Sequence, residues 1–312
     1  MRAVVVTTPG GPEVLQLADV PDLRPGPGQV LVRVEAAAVN PVDLFTRSGQ
    51  AHEVGWVTRP TVGLGWDVAG VVEELGAGVG GDLDGTGASG TPSLRVGTPV
   101  AGLHAGVDKP VGAYAEHVLL DVGAVAERPA GLDAVAAATV PLNATTASQA
   151  LDLLGPAAGR RLLVTGAVGA VGAYAAQLAA ERGFDVTGLA RAGDAAFVGG
   201  LGAEPAASLP SAPTYDAVLD AAALGDPALD VVVDGGAYVG VLPPAVPEPV
   251  RATTTTAVMV SPDVAVLRQV LARTAAGEVP ARVAATLPLA EAAESHRRLE
   301  RGGSRGRVVL LP

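Results

Sequence analysis

Apolar and polar positions alternate with period two over Val30–Ala36, the pattern of a strand buried on one face, and Val68–Leu75 reads as another half-buried strand. Ala3–Thr7, Val96–Val100 and Ala113–Leu120 read as further short strands, and Pro21–Gln29 is a Pro/Gly-rich turn region. Short strands with frequent turn signals predict a compact, barrel-like β domain. Near Asp133 the period changes to that of helices, over Ala134–Ala138 and Ala144–Leu154. From Leu162 strands and helices alternate. Strands are expected at Leu162–Thr165, Asp185–Leu189, Ala217–Asp220, Val231–Val233 and Ala237–Leu242, which together predict a parallel doubly wound sheet. A helix over Pro262–Gly277, a strand over Ala281–Leu287, a helix over Leu289–Arg301 and a closing strand over Arg307–Leu311 complete the reading. Gly76–Gly90, low in complexity and rich in Gly with Asp, Ser and Thr, reads as a surface loop.

The stretch LLVTGAVGAVGAYAAQLAAERG, residues 162–183, stays uncharged until Glu181 and raises three readings: a membrane span, a buried helix, or a turn that holds a phosphate. Its length approaches the roughly 20 residues of a span, but Gly and Ala dominate it, and it divides into two elements. Leu162–Thr165 is a buried strand behind Arg160 and Arg161, and Tyr174–Arg182 is rich in helix formers with Gly183 as a stop. In a strand–turn–helix unit Gly166 allows the bend, Gly169 a close backbone approach to a pyrophosphate, and Gly172 close packing of helix on strand. The helix amides then face the anion. The spacing is Gly-x-x-Gly-x-x-Gly, and a small-residue packing turn stands beside the phosphate reading.

The chain has 312 residues, enough for two well-buried cores. Its net charge of −11 leaves no basic stripe for nucleic acid. The opening MRAVVVTTPGG reads as one short strand and a turn, with no secretory signal or membrane anchor, so a cytoplasmic soluble protein is expected. With no cysteine there is neither a disulfide framework nor thiolate chemistry. Two Trp, four Tyr and three Phe make any aromatic in a pocket conspicuous.

Several ordered motifs then carry a resemblance. AAAVNPVDLFTRSG (36–49), GLGWDVAGVV (63–72), VGTPVAG (96–102), GAYAEHVLL (112–120), AAATVPLNATTASQAL (136–151), the glycine stretch, and PLAEAAESHRRLERGGSRGRVVL (288–310) run nearly end to end. The chain resembles the zinc-independent, zeta-crystallin-like quinone oxidoreductases of the medium-chain dehydrogenase/reductase superfamily, a group that includes polyketide enoyl reductases. The resemblance implies a GroES-like β-barrel domain, residues 1–122 and 262–312, and an inserted Rossmann domain, residues 123–261. It places the cofactor in the cleft between them. Residues 76–94 look longer than in the family, as a surface loop or a lid.

The resemblance also implies roles. The family's zinc cysteine falls in the Val39–Asn40–Pro41 stretch and its zinc histidine at Trp66; with no cysteine and four scattered histidines, no metal is expected. Hydride delivery to an electrophile that needs little Lewis acid remains, which means a quinone or an α,β-unsaturated carbonyl. Asn40 would hydrogen-bond near the nicotinamide, or simply end a strand before Pro41. Asp43 is either catalytic or a buried carboxylate capping amides. Thr146 corresponds to the threonine beside the nicotinamide, against a plain helix hydroxyl. Phe45 stands where many relatives carry a tyrosine, so a phenolic proton donor is missing there. Trp66 either stacks on a flat substrate or walls the β domain.

For the cofactor the resemblance names Asn40, Thr146, the turn residues Gly166, Ala167, Gly169, Ala170, Val171 and Gly172, and also Arg191 and Arg307. The second strand of the doubly wound sheet ends TGLARAGD, with Arg191 at its tip and no acid before Asp194. A guanidinium there suits a 2′-phosphate, hence NADPH, against a merely solvated arginine. Asp194 replaces the family's usual lysine. A redox-neutral cyclase or isomerase on the same fold, and a cofactor-binding structural or regulatory protein, are the alternatives. The apolar strand AYVGVL (237–242), taken as a sheet edge, predicts a twofold homodimer acting on a small-molecule substrate.

Overall fold

A computed structural model describes residues 1–80, 94–303 and 305–312; most of the low-complexity stretch, and with it the loop-or-lid reading of 76–94, lies outside the described residues. Contacts divide the chain into two units, Met1–Leu142 with Pro262–Pro312, and Asn143–Ser261.

The first unit opens with β1 (Arg2–Val6), β2 (Gln16–Asp19) and β3 (Gln29–Ala38). Helices α1 (Pro41–Ser48) and α2 (Gln50–Glu53) follow, then β4 (Val62–Gly63), β5 (Asp67–Leu75), β6 (Pro99–Leu103), β7 (His117–Asp121), β8 (Val125–Glu127) and helix α3 (Ala134–Ala137). The long strand β3 organises the unit. One of its edges pairs antiparallel with β5, and the residues of its first half, Gln29 to Arg33, pair with β7. Alternation along β3 drives Val30, Val32 and Val34 into a core with Val68, Leu120 and Tyr114. Each such aliphatic contributes roughly 1.5–3 kcal/mol by leaving water.

The chain then enters the second unit through α4 (Pro141–Leu154), β9 (Arg161–Thr165), α5 (Ala170–Glu181), β10 (Asp185–Leu189), α6 (Ala195–Gly200), β11 (Glu204–Ala206), β12 (Tyr215–Asp220), α7 (Asp226–Leu229), β13 (Val232–Gly240) and β14 (Thr254–Ala257). These six strands form one parallel sheet in the order β11-β10-β9-β12-β13-β14. The order reverses between β9 and β12, and in doubly wound sheets the crevice at the carboxyl ends of such a strand pair is where ligands bind.

Finally α8 (Val264–Ala275), β15 (Val283–Pro288), α9 (Ala292–Arg301) and β16 (Arg307–Leu311) return to the first unit. There β16 pairs with β3 at Ala37 and Ala38 and in parallel with β15, so the C-terminal segment extends the sheet built on β3, while β1, β2 and β4 form a separate three-stranded sheet.

Several elements differ from expectation. The contacts divide after Leu142 rather than after 122, because β8 pairs with β6 and α3 packs on β3 and β5. Val231–Val233 and Ala237–Leu242 are not two strands but one, β13, whose Asp-Gly-Gly centre is a bulge rather than a break. That strand is not the sheet edge either: β14, drawn from the polar run TTTT, hydrogen-bonds along it and becomes the edge. The helix α1 was also unforeseen, although Asn40-Pro41-x-Asp43 carries an N-cap residue, a proline at the first helical position and an acid at the third.

Candidate active site

In the first unit, the chain leaves β3 at Asn40 and enters α1 with Asp43 wholly buried. The Asp43 carboxylate accepts three hydrogen bonds, from the Asn40 amide, the Gly65 amide and the Tyr114 hydroxyl, each at 2.9 Å. These donors belong to three separate chain segments. Burial pushes the Asp43 carboxyl upward from the usual range, and the hydrogen bonds and the nearby Lys109 charge oppose that rise. Beside it, Asp67 at the start of β5 is equally buried; it accepts from the Asn40 side-chain amide at 2.8 Å and from the Leu142 backbone N–H at 2.6 Å. Burial raises its pKa to about 7, against those hydrogen bonds and the charge of Arg307.

Lys109 completes this buried group. Its ammonium donates to the carbonyl oxygens of Gly65 (2.8 Å) and His104 (2.6 Å) and lies 5.1 Å from the centroid of the Trp66 ring. Burial brings its pKa down to about 7, while the charges of Asp43 and Asp67 act in the opposite direction. Trp66 itself is only 8% exposed, and its backbone carbonyl accepts from the His104 amide at 2.7 Å. The loop that carries Lys109 is tied down by Asp108, which accepts from the Thr58 hydroxyl and the Arg59 guanidinium.

In the second unit, the turn after β9 has the conformation its glycines require. Gly166 lies at φ +58, in the left-handed region, and a Cβ on Gly172 would fall 2.1 Å from the Gly166 carbonyl oxygen. Only glycine fits that approach of helix to turn. Gly169 caps α5, so Ala170, Val171 and Gly172 form its first turn, at the helix N-terminus and the switch point of the sheet. The residues present fit a dinucleotide pyrophosphate, which would take the free amides of that turn. A second buried carboxylate braces the crevice. Asp220 accepts from the Thr165 hydroxyl, the Tyr238 hydroxyl (2.7 Å) and the Gly225 amide (2.9 Å), and Thr165 in turn accepts from Ala222 N–H at 3.0 Å. Arg191 is exposed just beyond β10, and the Ala167 amide donates to the Leu189 carbonyl, which holds the end of β10 beside the turn. Asp194 is buried.

The structure therefore brings Asn40 and Asp43 into one cluster, with Trp66 bordering it through Lys109 and Arg307 acting on it through its charge, all within the first unit. Arg307 is buried in β16, and Thr146 lies buried on α4 in the second unit. Phe45 is half-buried, and its ring meets that of Trp56, with centroids 5.7 Å apart; Trp56 is 39% exposed. Sequence reasoning also missed Asp67, Lys109, Asp220 and Tyr238. For Lys109 a signal existed. It is the only lysine in the chain, every other one of the 21 Lys and Arg residues being arginine.

A catalytic zinc does not fit the donors described at this cluster. Asn40 and Trp66 offer no thiolate or imidazole, and the two carboxylates already accept protein hydrogen bonds. Among the described residues no three His, Cys, Asp or Glu side chains are grouped to hold a metal ion, and no helix is long and apolar enough to cross a membrane.

The raised pKa of Asp67 has a measurable consequence. Between about pH 4 and 7 the folded chain keeps a proton that the unfolded chain has released, so this group's contribution to stability is complete at low pH and is lost as pH rises toward 7. An infrared titration should show a protonated-carboxyl band losing intensity in a step near neutrality, and that step should be missing in Asp67→Asn. Loss of the whole band by pH 5 in the unmodified protein would refute the assignment.

Comparison with known proteins accords with this geometry. Residues 26–130 match the alcohol dehydrogenase GroES-like domain, and residues 203–310 match the zinc-binding dehydrogenase family. The chain is 30% identical to an NADPH-dependent alkenal/one oxidoreductase of Arabidopsis thaliana, over 100% of this chain and 80% of that protein. It is 33% identical to a 2-methylene-furan-3-one reductase of Solanum lycopersicum, over 77% of this chain but only 61% of that protein. Among solved structures, the quinone oxidoreductase from Coxiella burnetii superposes with a TM-score of 0.81 at 25% identity, covering 100% of this chain and 99% of the other. A mycobacterial protein complexed with NADPH gives 0.80 at 27% identity, with both chains fully covered. With its GroES-like β domain and its doubly wound nucleotide-binding domain, the chain belongs to the medium-chain dehydrogenase/reductase superfamily and is an oxidoreductase of the nicotinamide-dependent kind.

Proposed function

We propose that the chain reduces a conjugated carbonyl compound, an α,β-unsaturated ketone or aldehyde or a quinone, with NADPH and without a metal. The observation that carries the reading is the donor set of the first unit. By the resemblance, Asn40 and Trp66 fall at the zinc-ligand positions of metal-dependent relatives, and the nearby Asp43 and Asp67 already accept protein hydrogen bonds, which supports an acceptor that takes electrons without a metal. Conjugation meets that need, because it spreads the incoming charge onto oxygen. The reduced nicotinamide supplies the hydride. The names of the Arabidopsis and tomato relatives, an alkenal/one oxidoreductase and a furanone reductase, support the same substrate class.

Each site residue has a part in this reading. The turn Gly166–Gly172 and the start of α5 hold the pyrophosphate, and Arg191 takes the 2′-phosphate. Thr146 and Asn40 orient the nicotinamide, with Arg307 assigned to the cofactor as well. Asp43 is a positioning residue: three protein donors engage its carboxylate, leaving it to fix Asn40, the Gly65 turn and Tyr114. Phe45 and Trp66 border the acceptor. The chain is further proposed to pair as a twofold homodimer, now through β14, the actual edge of the sheet. Sedimentation at micromolar concentration should give a dimer, and a monomer would contradict it.

Cofactor choice tests the reading directly. NADPH should bind several-fold more tightly than NADH, and Arg191→Ala should narrow the difference by weakening NADPH alone. Titrations of cofactor fluorescence measure both. Equal affinities in the unmodified protein would remove the assigned role of Arg191. Binding without oxidation of NADPH by any enone or quinone would favour a redox-neutral reaction on the same fold.

A further inference from the structure

Reduction of a conjugated carbonyl needs a proton as well as a hydride, and Phe45 has no hydroxyl to give one. Asp67, which holds a proton up to about pH 7, has both carboxyl oxygens engaged by protein N–H donors, and two other buried acids near Asn40 are poorly suited. Tyr114 already donates to Asp43, and burial with that neighbouring charge pushes its hydroxyl pKa far above the usual value. Burial holds His104 well below its ordinary pKa, with the Lys109 charge acting in the same direction, so its ring is neutral near pH 7.

Lys109 is different. It is the chain's only lysine, 6% exposed, on a loop pinned by Asp108. Two of its three N–H bonds are taken by carbonyl oxygens, and among the described residues no carboxylate lies within ion-pair distance and no third acceptor is present. A buried ammonium without an ion-pair partner is costly. A chain that otherwise uses only arginine has placed at this point the one cation that releases a proton readily. Its position beside the ring of Trp66 puts it at the border assigned to the acceptor.

We propose that Lys109 is the acid of the reaction: its ammonium receives the negative charge that develops on the acceptor's carbonyl oxygen and delivers the proton to it. The proposal rests on the reading that the substrate is a conjugated carbonyl. When hydride from the reduced nicotinamide dinucleotide adds to the β carbon, the C=C electron pair shifts toward the carbonyl and leaves an enolate oxygen. An N–H bond of Lys109 breaks as the O–H bond forms. The neutral amine regains a proton from water, and the enol tautomerises to the saturated carbonyl. With a quinone the same proton reaches one hydroquinone oxygen. The charged or titratable groups that face Lys109 are Asp43 and Asp67, whose carboxylates favour the ammonium, and the neutral ring of His104.

Because the chain has a single lysine, protein grown on 13C-lysine gives one ε-carbon resonance. That resonance reports Lys109 in the cofactor-free protein. Adding 2,4-dinitrophenolate, an oxyanion that stays ionised near neutral pH, should shift the resonance and raise its titration midpoint, and Lys109→Met should lose at least tenfold in affinity for the phenolate. With NADPH and an enone, Lys109→Met should lower kcat by at least about 100-fold, the usual scale of a lost general acid, with cofactor affinity unchanged. In the unmodified protein kcat should fall as pH rises through the measured Lys109 midpoint, and in Lys109→Arg that fall should vanish along with most of the activity. The proposal is overturned if the phenolate leaves the resonance unmoved, or if either variant keeps kcat within threefold. Should Lys109→Met fail to fold, the resonance titration and Lys109→Arg decide. If no enone or quinone is reduced at all, the parent reading fails, and the phenolate titration still decides whether Lys109 is an oxyanion site.

Discussion

The Asp43 carboxylate is the interaction on which the first unit's site depends. A buried anion persists only when donors surround it. Here the donors come from the end of β3, from the Gly65 turn ahead of β5, and from Tyr114 ahead of β7. One carboxylate thus sets where α1 begins, where the 65–66 turn lies and where the phenol points. Asn40 is positioned as a consequence, since its backbone is held by Asp43 and its side chain reaches Asp67. Lys109 binds the carbonyl of the same Gly65 whose amide binds Asp43, so the peptide flanking that glycine joins the buried anion to the buried cation. Each buried group orphaned by deleting a partner costs about 1–3 kcal/mol, so the residues of this cluster stand or fall together.

The second unit solves a comparable problem with backbone rather than side chains. Gly166 bends the turn and Gly172 lets α5 press against it, the arrangement that would turn helix amides toward an anion. Asp220 repeats the logic of Asp43: a buried carboxylate at the end of a strand gathers donors from Thr165, Gly225 and Tyr238, and so fixes the crevice beside the turn.

Much of this was legible in the chain. The strand β10 and the closing strand β16 fall at their expected bounds, and the glycine turn has the geometry its spacing implied, because backbone constraints are local and leave a local trace. What escaped was set by distant partners. The polar run TTTT gives no apolar signal, yet it forms β14 because β13 offers an unpaired edge. Asp234-Gly235-Gly236 resembles a turn but is absorbed as a bulge. The sequence left Trp66 either stacking on a substrate or walling the β domain, and the fold buries it with Lys109 beside its ring, while Trp56 emerges beside Phe45. Lys109 and Asp67 lie more than forty positions apart in the chain and act together only because both meet the Asn40–Gly65 region.

The central claim is that hydride passes from NADPH to a conjugated carbon with a proton added separately. Its most direct measurement follows the atoms. With NADPH deuterated at the transferring C4 position and an enone in ordinary water, the account predicts a saturated ketone carrying one cofactor-derived deuterium at the β carbon. Running the unlabelled cofactor in heavy water should instead place deuterium at the α carbon. A product that contains no cofactor deuterium, or an isomerised substrate formed while the NADPH stays reduced, would contradict it.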